Sequence, residues 1–259
     1  MKPIILFYGR IGTNFFVHFY RVCYYLGAAV GQLRYLHFYR RQIIEQMYRV
    51  GIGSIPLIAA LSLFTGLATT IQTAYQISSY IPKYIVGSIV FQSEMLELGP
   101  TLMALVLAGR VGAGIASEIG TMKVSEQVDA LTSMGVDPIG YLVMPRILAG
   151  VAMFPIIIIF AVVVAVGGGH YAATTMMGVS TADFVRGMKE VFRAKDVWVG
   201  LTKATVYGGI ITLLGSYMGM ETDQGAKGVG RAATSTVVSS SSFILIMDYV
   251  LTRTLLKFS

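Results

Sequence analysis

The chain has 259 residues, a net charge of +7 and only 13% charged residues, and its mean hydropathy is +0.69. Soluble domains average about 25% charged residues, and the apolar residues here form long unbroken blocks, so the composition indicates an integral membrane protein. A single cysteine excludes an internal disulfide framework and a multi-thiolate metal site, and three scattered histidines give no metal spacing. The sequence therefore predicts no metal site. The basic excess indicates contact with anionic lipid headgroups and not with nucleic acid.

Residues 1–49 are predicted to form an N-terminal interfacial amphipathic region, ahead of a membrane domain at residues 50–259. Seven Arg and Lys residues alternate there with many Phe and Tyr residues, a pattern typical of helices that lie in the headgroup layer. Arg21 interrupts the most apolar window, which disfavours a full crossing. An extra, poorly hydrophobic span over residues 11–33 remains the alternative.

The rest of the chain predicts an all-α membrane protein with five transmembrane helices, because the apolar blocks reach the ~20 residues that a crossing needs. The predicted spans are Ile52–Ile77, Tyr84–Ser117, a third from after Arg146 to Gly169, Val197–Met220 and Ala232–Leu251. The second is too long for one straight helix, so a break or kink is expected near Gly99–Pro100. Thr181–Asp196 is predicted to be external, and Glu221–Arg231 to be a polar loop. Small residues at four-residue spacing, such as Gly215 and Gly219, predict close helix packing within one chain or between two.

The distribution of Lys and Arg predicts the orientation of the spans. With the N-terminus in the cytoplasm, twelve basic residues lie inside and seven outside. The C-terminus is then outside. The basic cluster from Arg186 to Lys195 opposes this orientation locally.

The polar stretch from Ala116 to Pro138 separates two long apolar blocks. Val124, Val128 and Leu131 fall on one stripe of a helix, and Gly135 is expected to end that helix in a left-handed conformation. The segment is therefore either a solvated connecting loop or a short helix on which a cytoplasmic subunit docks.

Three charged residues lie in or near the apolar blocks. Glu97 is either an intramembrane functional acid or an interfacial acid at a helix start. Asp248 lies inside the last span, and we expect it to pair with Arg253 or Arg110 or to cap a backbone. Arg110 is expected to mark the inner membrane interface.

The run "ELGPTLMALVLAGRVGAGIASEIGTMKVSEQVDALTSMGVDPIGYLVMPRILAG", Glu97–Gly150, resembles the MlaE family of permease subunits in ABC-type lipid transporters. The similarity extends to "QIIEQMYRVGIGSIPL" (Gln42–Leu57), "GVGRAATSTVVSS" (Gly228–Ser240) and "MDYVLT" (Met247–Thr252). It implies a homodimer in the bacterial inner membrane that moves phospholipid. The implied partners are an ABC ATPase dimer, an external MCE-domain protein oligomer and, on the ATPase of some transporters, a small regulatory subunit.

The resemblance also implies roles for individual residues. The residues expected in the lipid path are Gln72, Tyr75, Ile77, Tyr80, Glu97 and Leu98. Glu118–Gly135 corresponds to the segment on which the ATPase docks, and the coupling residues expected there are Glu118, Lys123, Glu126, Val128, Asp129 and Leu131. Members of the family often carry Arg directly before the Glu of "ELGP", where this chain has Leu96.

The chain has no G-x-x-x-x-G-K-[ST] motif, so ATP and Mg²⁺ are expected on the partner subunit and no cofactor on this chain. We therefore predict a transport subunit that is not itself an enzyme. The alternative is a stand-alone membrane-embedded lipid-modifying enzyme or scaffold, for which the sequence offers no nucleophile and base pair.

Overall fold

A computed structural model of the chain describes the backbone of residues 2–77 and 82–257 and the side chains of residues 16–77 and 82–257. All the regular secondary structure in these ranges is helical. The helices are α1 (Lys2–Gly31), α2 (Arg40–Val50), α3 (Ile55–Gln76), α4 (Ile85–Val124), α5 (Gln127–Ser133), α6 (Ile139–Met176), α7 (Thr181–Val191), α8 (Ala194–Met220) and α9 (Ala226–Lys257).

Five helical stretches in the described part of the chain are long and apolar enough to cross a membrane, which confirms the five predicted spans. They are α2 together with α3, and then α4, α6, α8 and α9. The spans alternate in direction, so the bundle has two ends. The α5 end carries the α4–α6 and α8–α9 connections, and the α7 end carries the α6–α8 connection and the end of α9.

Several predicted boundaries are wrong because helices continue past the apolar blocks. The helix α6 begins at Ile139, so Arg146 lies within it and not before it. The Arg146 guanidinium is buried there because it forms an ion pair with the carboxylate of Glu118. The helix α9 begins at Ala226 and includes half of the predicted Glu221–Arg231 loop, of which only 221–225 lies outside a helix. Gly225 ends that short connection with φ = +84°, a conformation that glycine adopts without strain.

Of the break or kink expected near Gly99–Pro100, the break is not found: the regular α-helix is interrupted there, but α4 stays helical by widening. It contains two π-helical segments, Glu94–Leu102 and Ala108–Gly112. Pro100 has no backbone N–H and its ring crowds the preceding turn of an α-helix. The wider π turn accommodates that ring without interrupting the helix.

Small residues form the helix contacts, within a single chain. A Cβ atom on Gly66 of α3 would lie 1.8 Å from the carbonyl oxygen of Ala165 in α6, and one on Gly208 of α8 would lie 2.4 Å from that of Gly150 in α6. The Gly215 position in α8 has a similar contact, 2.8 Å, with α4. The backbones of α3, α4, α6 and α8 therefore touch without intervening side chains, as the spacing of small residues predicted.

The helix α1 packs at the α5 end of the bundle. Its Ala29 belongs to an apolar cluster at the start of α6, and its Arg21 pairs with Glu221 after α8. Gln32, directly after α1, donates to Asp137 before α6 at 2.6 Å. Among its described aromatic side chains, Phe16, Phe19, Tyr20 and Tyr24 are exposed, and Tyr25 is partly buried. These contacts confirm an N-terminal helix, while its predicted position in the headgroup layer remains a prediction.

Candidate functional site

A cluster of charged side chains lies inside the bundle, where α4, α8 and α9 meet. Lys203 of α8 is at its centre, with 1% of its side chain exposed. Its Nζ donates to Oε1 of Glu97 at 2.8 Å and to the carbonyl oxygen of Leu96 at 2.9 Å, and it lies 2.9 Å from Oδ1 of Asp248. Three acceptors therefore surround an ammonium group that has three protons to donate. At 1.5 Å per residue, Lys203 is about 14 Å along α8 from the α7 end.

Asp248 has further donors in addition to Lys203. The hydroxyl of Tyr207 donates to its Oδ1 at 2.7 Å, and that of Thr101 at 2.9 Å. The expectation that Asp248 pairs with Arg253 or Arg110 is therefore wrong. Arg110 lies toward the α5 end of α4, where its guanidinium donates to the hydroxyl of Ser54 at the start of the first span. A lysine on the neighbouring helix is closer to Asp248 than either arginine, and the order of residues along the chain does not show this.

Glu97 is the member of the cluster that reaches the surface. Its side chain is 44% exposed, compared with 21% for Asp248, and the hydroxyl of Thr252 lies 3.4 Å from its Oε1. Two carboxylates and one ammonium give the cluster a charge of −1 when all three are ionised. The excess negative charge can therefore face water, lipid or a ligand through Glu97.

Glu94, one turn before Glu97, is fully buried in the same π segment. Oε1 accepts from the hydroxyl of Thr69 at 3.3 Å, while Oε2 is buried with no hydrogen-bond partner among the described residues. A π segment in a helix is frequently found at a functional site. The wide turn places both acids within the membrane-spanning part of α4.

Lys203 is not among the site residues predicted from the sequence. It is the one basic residue of the twenty that the orientation count assigned to neither side of the membrane. A lone lysine in an apolar span is itself a signal, because such a charge is costly unless it is paired. Lys203 also contacts Leu96, the position at which members of the MlaE family often carry Arg. Its Nζ donates to the backbone carbonyl oxygen of Leu96. Its side chain is 1% exposed and its ammonium group is already surrounded by acceptors of this chain, so this lysine is not free to bind a lipid phosphate.

Of the other residues expected in the lipid path, Gln72, Tyr75 and Ile77 lie at the α7 end of α3, and Leu98 lies next to Glu97 in the π segment of α4. Gln72 is exposed, Tyr75 is 91% exposed, and Ile77 and Leu98 are partly exposed. Tyr80 lies outside the described residues. Around them, exposed apolar side chains cover one face of α3 and one face of α9, including Phe64, Ile71, Leu245, Ile246 and Tyr249.

The polar segment between α4 and α6 forms two helical pieces and not one. The helix α4 ends at Val124, Glu126 adopts a left-handed conformation with φ = +60°, and α5 follows. The predicted stripe is therefore divided, because Val124 lies on α4 while Val128 and Leu131 lie on α5. Gly135 has φ = +79° after α5, as predicted for a left-handed helix end.

The residues expected to couple to an ATPase differ in what they contact. Lys123 donates to the carbonyl oxygen of Met220 at the end of α8, at 2.5 Å. Glu118 forms ion pairs with Arg49 of α2 at 3.1 Å and with the buried Arg146 of α6 at 3.0 Å. These two residues thus tie the end of α4 to three other helices.

The remaining coupling residues are on α5 or next to it. Val128 is buried and Leu131 partly buried, which holds α5 against the bundle. Glu126 and Asp129 are exposed, and neither forms an ion pair within the described residues. In the part of the chain that the structure describes, no three His, Cys, Asp or Glu residues are placed to hold a metal ion.

Known proteins resemble the chain over most of its length. The family described as permease MlaE matches residues 43–254. A probable ABC transporter permease protein of Rickettsia typhi is 40% identical over 219 residues, which cover 85% of each chain. A probable ABC transporter permease protein of Synechocystis is 38% identical over 212 residues, 82% of this chain and 81% of that one. The chloroplastic protein trigalactosyldiacylglycerol 1 of Arabidopsis thaliana is 33% identical over 211 residues, 82% of this chain and 60% of that one.

The family match covers three spans completely, nearly all of the first and the last, and the connections between them. It decides against the alternative of a stand-alone lipid-modifying enzyme. The chain belongs to the MlaE permease family, and it is a multi-pass membrane subunit of an ABC transporter that works with a separate ATPase subunit and is not itself an enzyme.

Proposed function

We propose that the chain forms a homodimer in the bacterial inner membrane and moves phospholipid between that membrane and an external oligomer of an MCE-domain protein. ATP and Mg²⁺ bind a separate ATPase dimer, and in some assemblies a small regulatory subunit binds the ATPase and not this chain. The match to the permease family supports transport. The Arabidopsis relative, whose name is that of a galactolipid, supports a lipid as the cargo.

The observation that carries the proposal is the placement of the segment Glu118–Gly135. Its exposed carboxylates, Glu126 and Asp129, are available to a partner, while Glu118 and Lys123 connect the same segment to α2, α6 and α8. A force applied to α5 therefore reaches three spans through ion pairs and hydrogen bonds. This is the arrangement that a subunit driven by a separate ATPase requires.

The proposed lipid path follows the exposed end of α3 and the π segment of α4, at Gln72, Tyr75, Ile77, Glu97 and Leu98. Tyr80, which lies outside the described residues, is included on its position in the sequence alone. Tyr75 and the exposed apolar residues of α3 and α9 suit contact with acyl chains or with a second copy of the chain. Glu97 adds one exposed carboxylate beside this surface. In a dimer, the two exposed faces enclose a cavity with one such acid from each protomer.

The α5 end lies in the cytoplasm and the α7 end in the periplasm. Twelve basic residues against seven favour this orientation. It gives a cytoplasmic N-terminus and a periplasmic C-terminus. It also puts α5 on the side where ATP is available.

A charge reversal on α5 tests the proposed coupling. Asp129→Lys should weaken co-purification of the ATPase subunit with the permease, and Glu126→Lys/Asp129→Lys should abolish it, because both carboxylates are exposed at the proposed contact. Asp223→Lys is the matched control, since Asp223 is exposed in the other connection at the α5 end. An intact complex with normal ATP turnover in the double variant would contradict the proposed docking site.

A further inference from the structure

A polar cavity of about 300 Å³ opens between α2 and α4, toward the α5 end of the bundle. Gln46 and Arg49 of α2 line one side of it, and Arg110, Gly114 and Glu118 of α4 line the other. Apolar side chains of the same two helices complete its walls. Its volume is at the lower limit of ordinary ligand sites, about 300–1,000 Å³. The cavity can therefore hold a small polar group, such as the headgroup of a lipid.

Arg110 gives this cavity a cation that has no carboxylate partner. Its guanidinium donates to the hydroxyl of Ser54 and lies against Gly53, and it forms no ion pair among the described residues. Arg110 is roughly 35 Å along α4 from the first residue of that helix, and the hydrocarbon core is about 30 Å thick. With the start of α4 at one membrane surface, Arg110 reaches the headgroup layer of the other leaflet. Ile52 and Ile55, in the segment that the guanidinium contacts, are exposed apolar residues.

The same cavity also has acceptors that no donor of the chain uses. Arg49 and Arg146 both contact Oε1 of Glu118, so Oε2 accepts no hydrogen bond or ion pair from the described residues. Gln46 is only 8% exposed, yet none of the hydrogen bonds between described side chains includes its amide. A buried amide without a partner is costly, so a ligand that hydrogen-bonds it gains affinity. The lining therefore offers one ligand both a free cation and free acceptor oxygens.

We propose that this cavity binds the headgroup of an ethanolamine phospholipid from the leaflet at the α5 end. The phosphate accepts hydrogen bonds from the guanidinium of Arg110, and the primary ammonium donates to Oε2 of Glu118 and to the amide oxygen of Gln46. A choline headgroup has no N–H to donate, and a glycerol headgroup has no positive charge, so neither satisfies both sets of groups. The site lies on the α5 side of α4, away from the proposed lipid path. A lipid held there contacts α2 and α4 together, next to the segment on which the ATPase is proposed to dock.

Photolabelling of the full chain in phosphatidylcholine vesicles tests the location of the site. The probe is phosphatidylethanolamine at a low mole fraction, with a diazirine at the glycerol end of one acyl chain, and mass spectrometry locates the labelled residues. We expect labels on the cavity lining of α4 and on residues 52–55. Gly114→Leu should fill the cavity and remove most of this label, without a clash, because there is open space around Gly114. Gly109→Leu is the matched control, since Gly109 also has open space on α4 but does not line the cavity.

The headgroup preference is tested with choline and glycerol versions of the same probe. Loss of one hydrogen bond to a charged group weakens binding by about tenfold, so each of these probes should label the cavity about tenfold less than the ethanolamine probe. Arg110→Gln should reduce labelling by the ethanolamine probe by a similar factor, and Arg110→Lys, which keeps the charge, should reduce it less. Lys227→Gln should not change the labelling, because Lys227 is exposed at the same end of the bundle but does not line the cavity.

Four results would overturn the proposal. One is equal labelling by the three headgroups, and another is equal labelling of Gly114→Leu and Gly109→Leu. The third is displacement of the probe by inorganic phosphate, since that would assign the cavity to a soluble phosphate compound. The fourth is loss of the label when the ATPase subunit is bound, since that would assign the cavity to the partner protein. None of these results decides whether the ATPase docks on α5, which the Asp129 variants test separately.

Discussion

Removal of the ammonium group at the centre of the charged cluster should destabilise the protein more than removal of either carboxylate. In Lys203→Met, Glu97 and Asp248 lose their shared cation inside the bundle. Deleting one partner of a buried ion pair costs about 3–5 kcal/mol. Glu97 is 44% exposed and Asp248 retains two hydroxyl donors, so we expect the lower limit, about 3 kcal/mol. In Glu97→Gln, the ion pair between Lys203 and Asp248 remains. The expected loss of folding stability is therefore only about 1 kcal/mol.

Thermal unfolding of the purified permease in mild detergent measures these differences. For a chain of this size, 1 kcal/mol corresponds to roughly 2 °C in Tm, so Lys203→Met should unfold about 6 °C below the wild type and Glu97→Gln about 2 °C below. Lys257→Met is the control, because that lysine is exposed at the end of α9, and its Tm should not change.

The double variant Lys203→Met/Asp248→Asn identifies the cause of the destabilisation. Removing both charges should recover part of the lost stability, because replacing a buried ion pair by neutral groups is often tolerated. If Lys203→Met unfolds at the same temperature as Lys257→Met, or if the double variant is no more stable than Lys203→Met, an uncompensated buried charge is not the reason.

Three further outcomes are expected. Gly66→Ala should lower the yield of folded protein, because the new methyl group forces α3 away from the Ala165 carbonyl of α6 at a cost of about 1–3 kcal/mol. Gly114→Ala is the control and should not lower the yield, because there is open space around Gly114. Size-exclusion profiles of the two variants measure the difference. Glu97→Ala should reduce lipid transfer to acceptor vesicles more than ATPase co-purification, and unchanged transfer would assign Glu97 to the interface alone. Glu118→Gln should lower the Tm by several degrees, because it leaves the arginine buried in α6 without a carboxylate; a Tm equal to that of the wild type would show that this pair does not stabilise the fold.

The sequence predicts the spans well because each is a long apolar block, and length alone distinguishes such a block from a buried helix of a soluble protein. It predicts helix ends poorly because a helix does not stop at the membrane surface. Arg146 was expected before the third span, yet it lies within α6 because Glu118 compensates its charge. The helix α9 begins at Ala226, before the apolar block that starts at Ala232. A polar helix end can extend into water, because water hydrogen-bonds its free backbone N–H groups.

The charged cluster was only half predicted, for a related reason. Glu97 and Asp248 were conspicuous as acids in apolar surroundings, but their shared partner Lys203 is more than forty residues from either one along the chain. Only the packing of α4, α8 and α9 brings the three together. The left-handed conformation of Gly135 was predicted because it depends on local chemistry, whereas the break at Glu126 was missed, since glutamate gives no local signal for a positive φ.

The glycine contacts between helices have a mechanical consequence. At the Gly66 and Gly150 contacts, the backbones of α3 and α8 lie directly against the backbone of α6, so a displacement of α6 is passed on to both helices. The helix α6 has 38 residues and is about 57 Å long. If α6 stays straight through Pro155, a tilt of about 5° at the α5 end displaces the other end of the helix by about 5 Å.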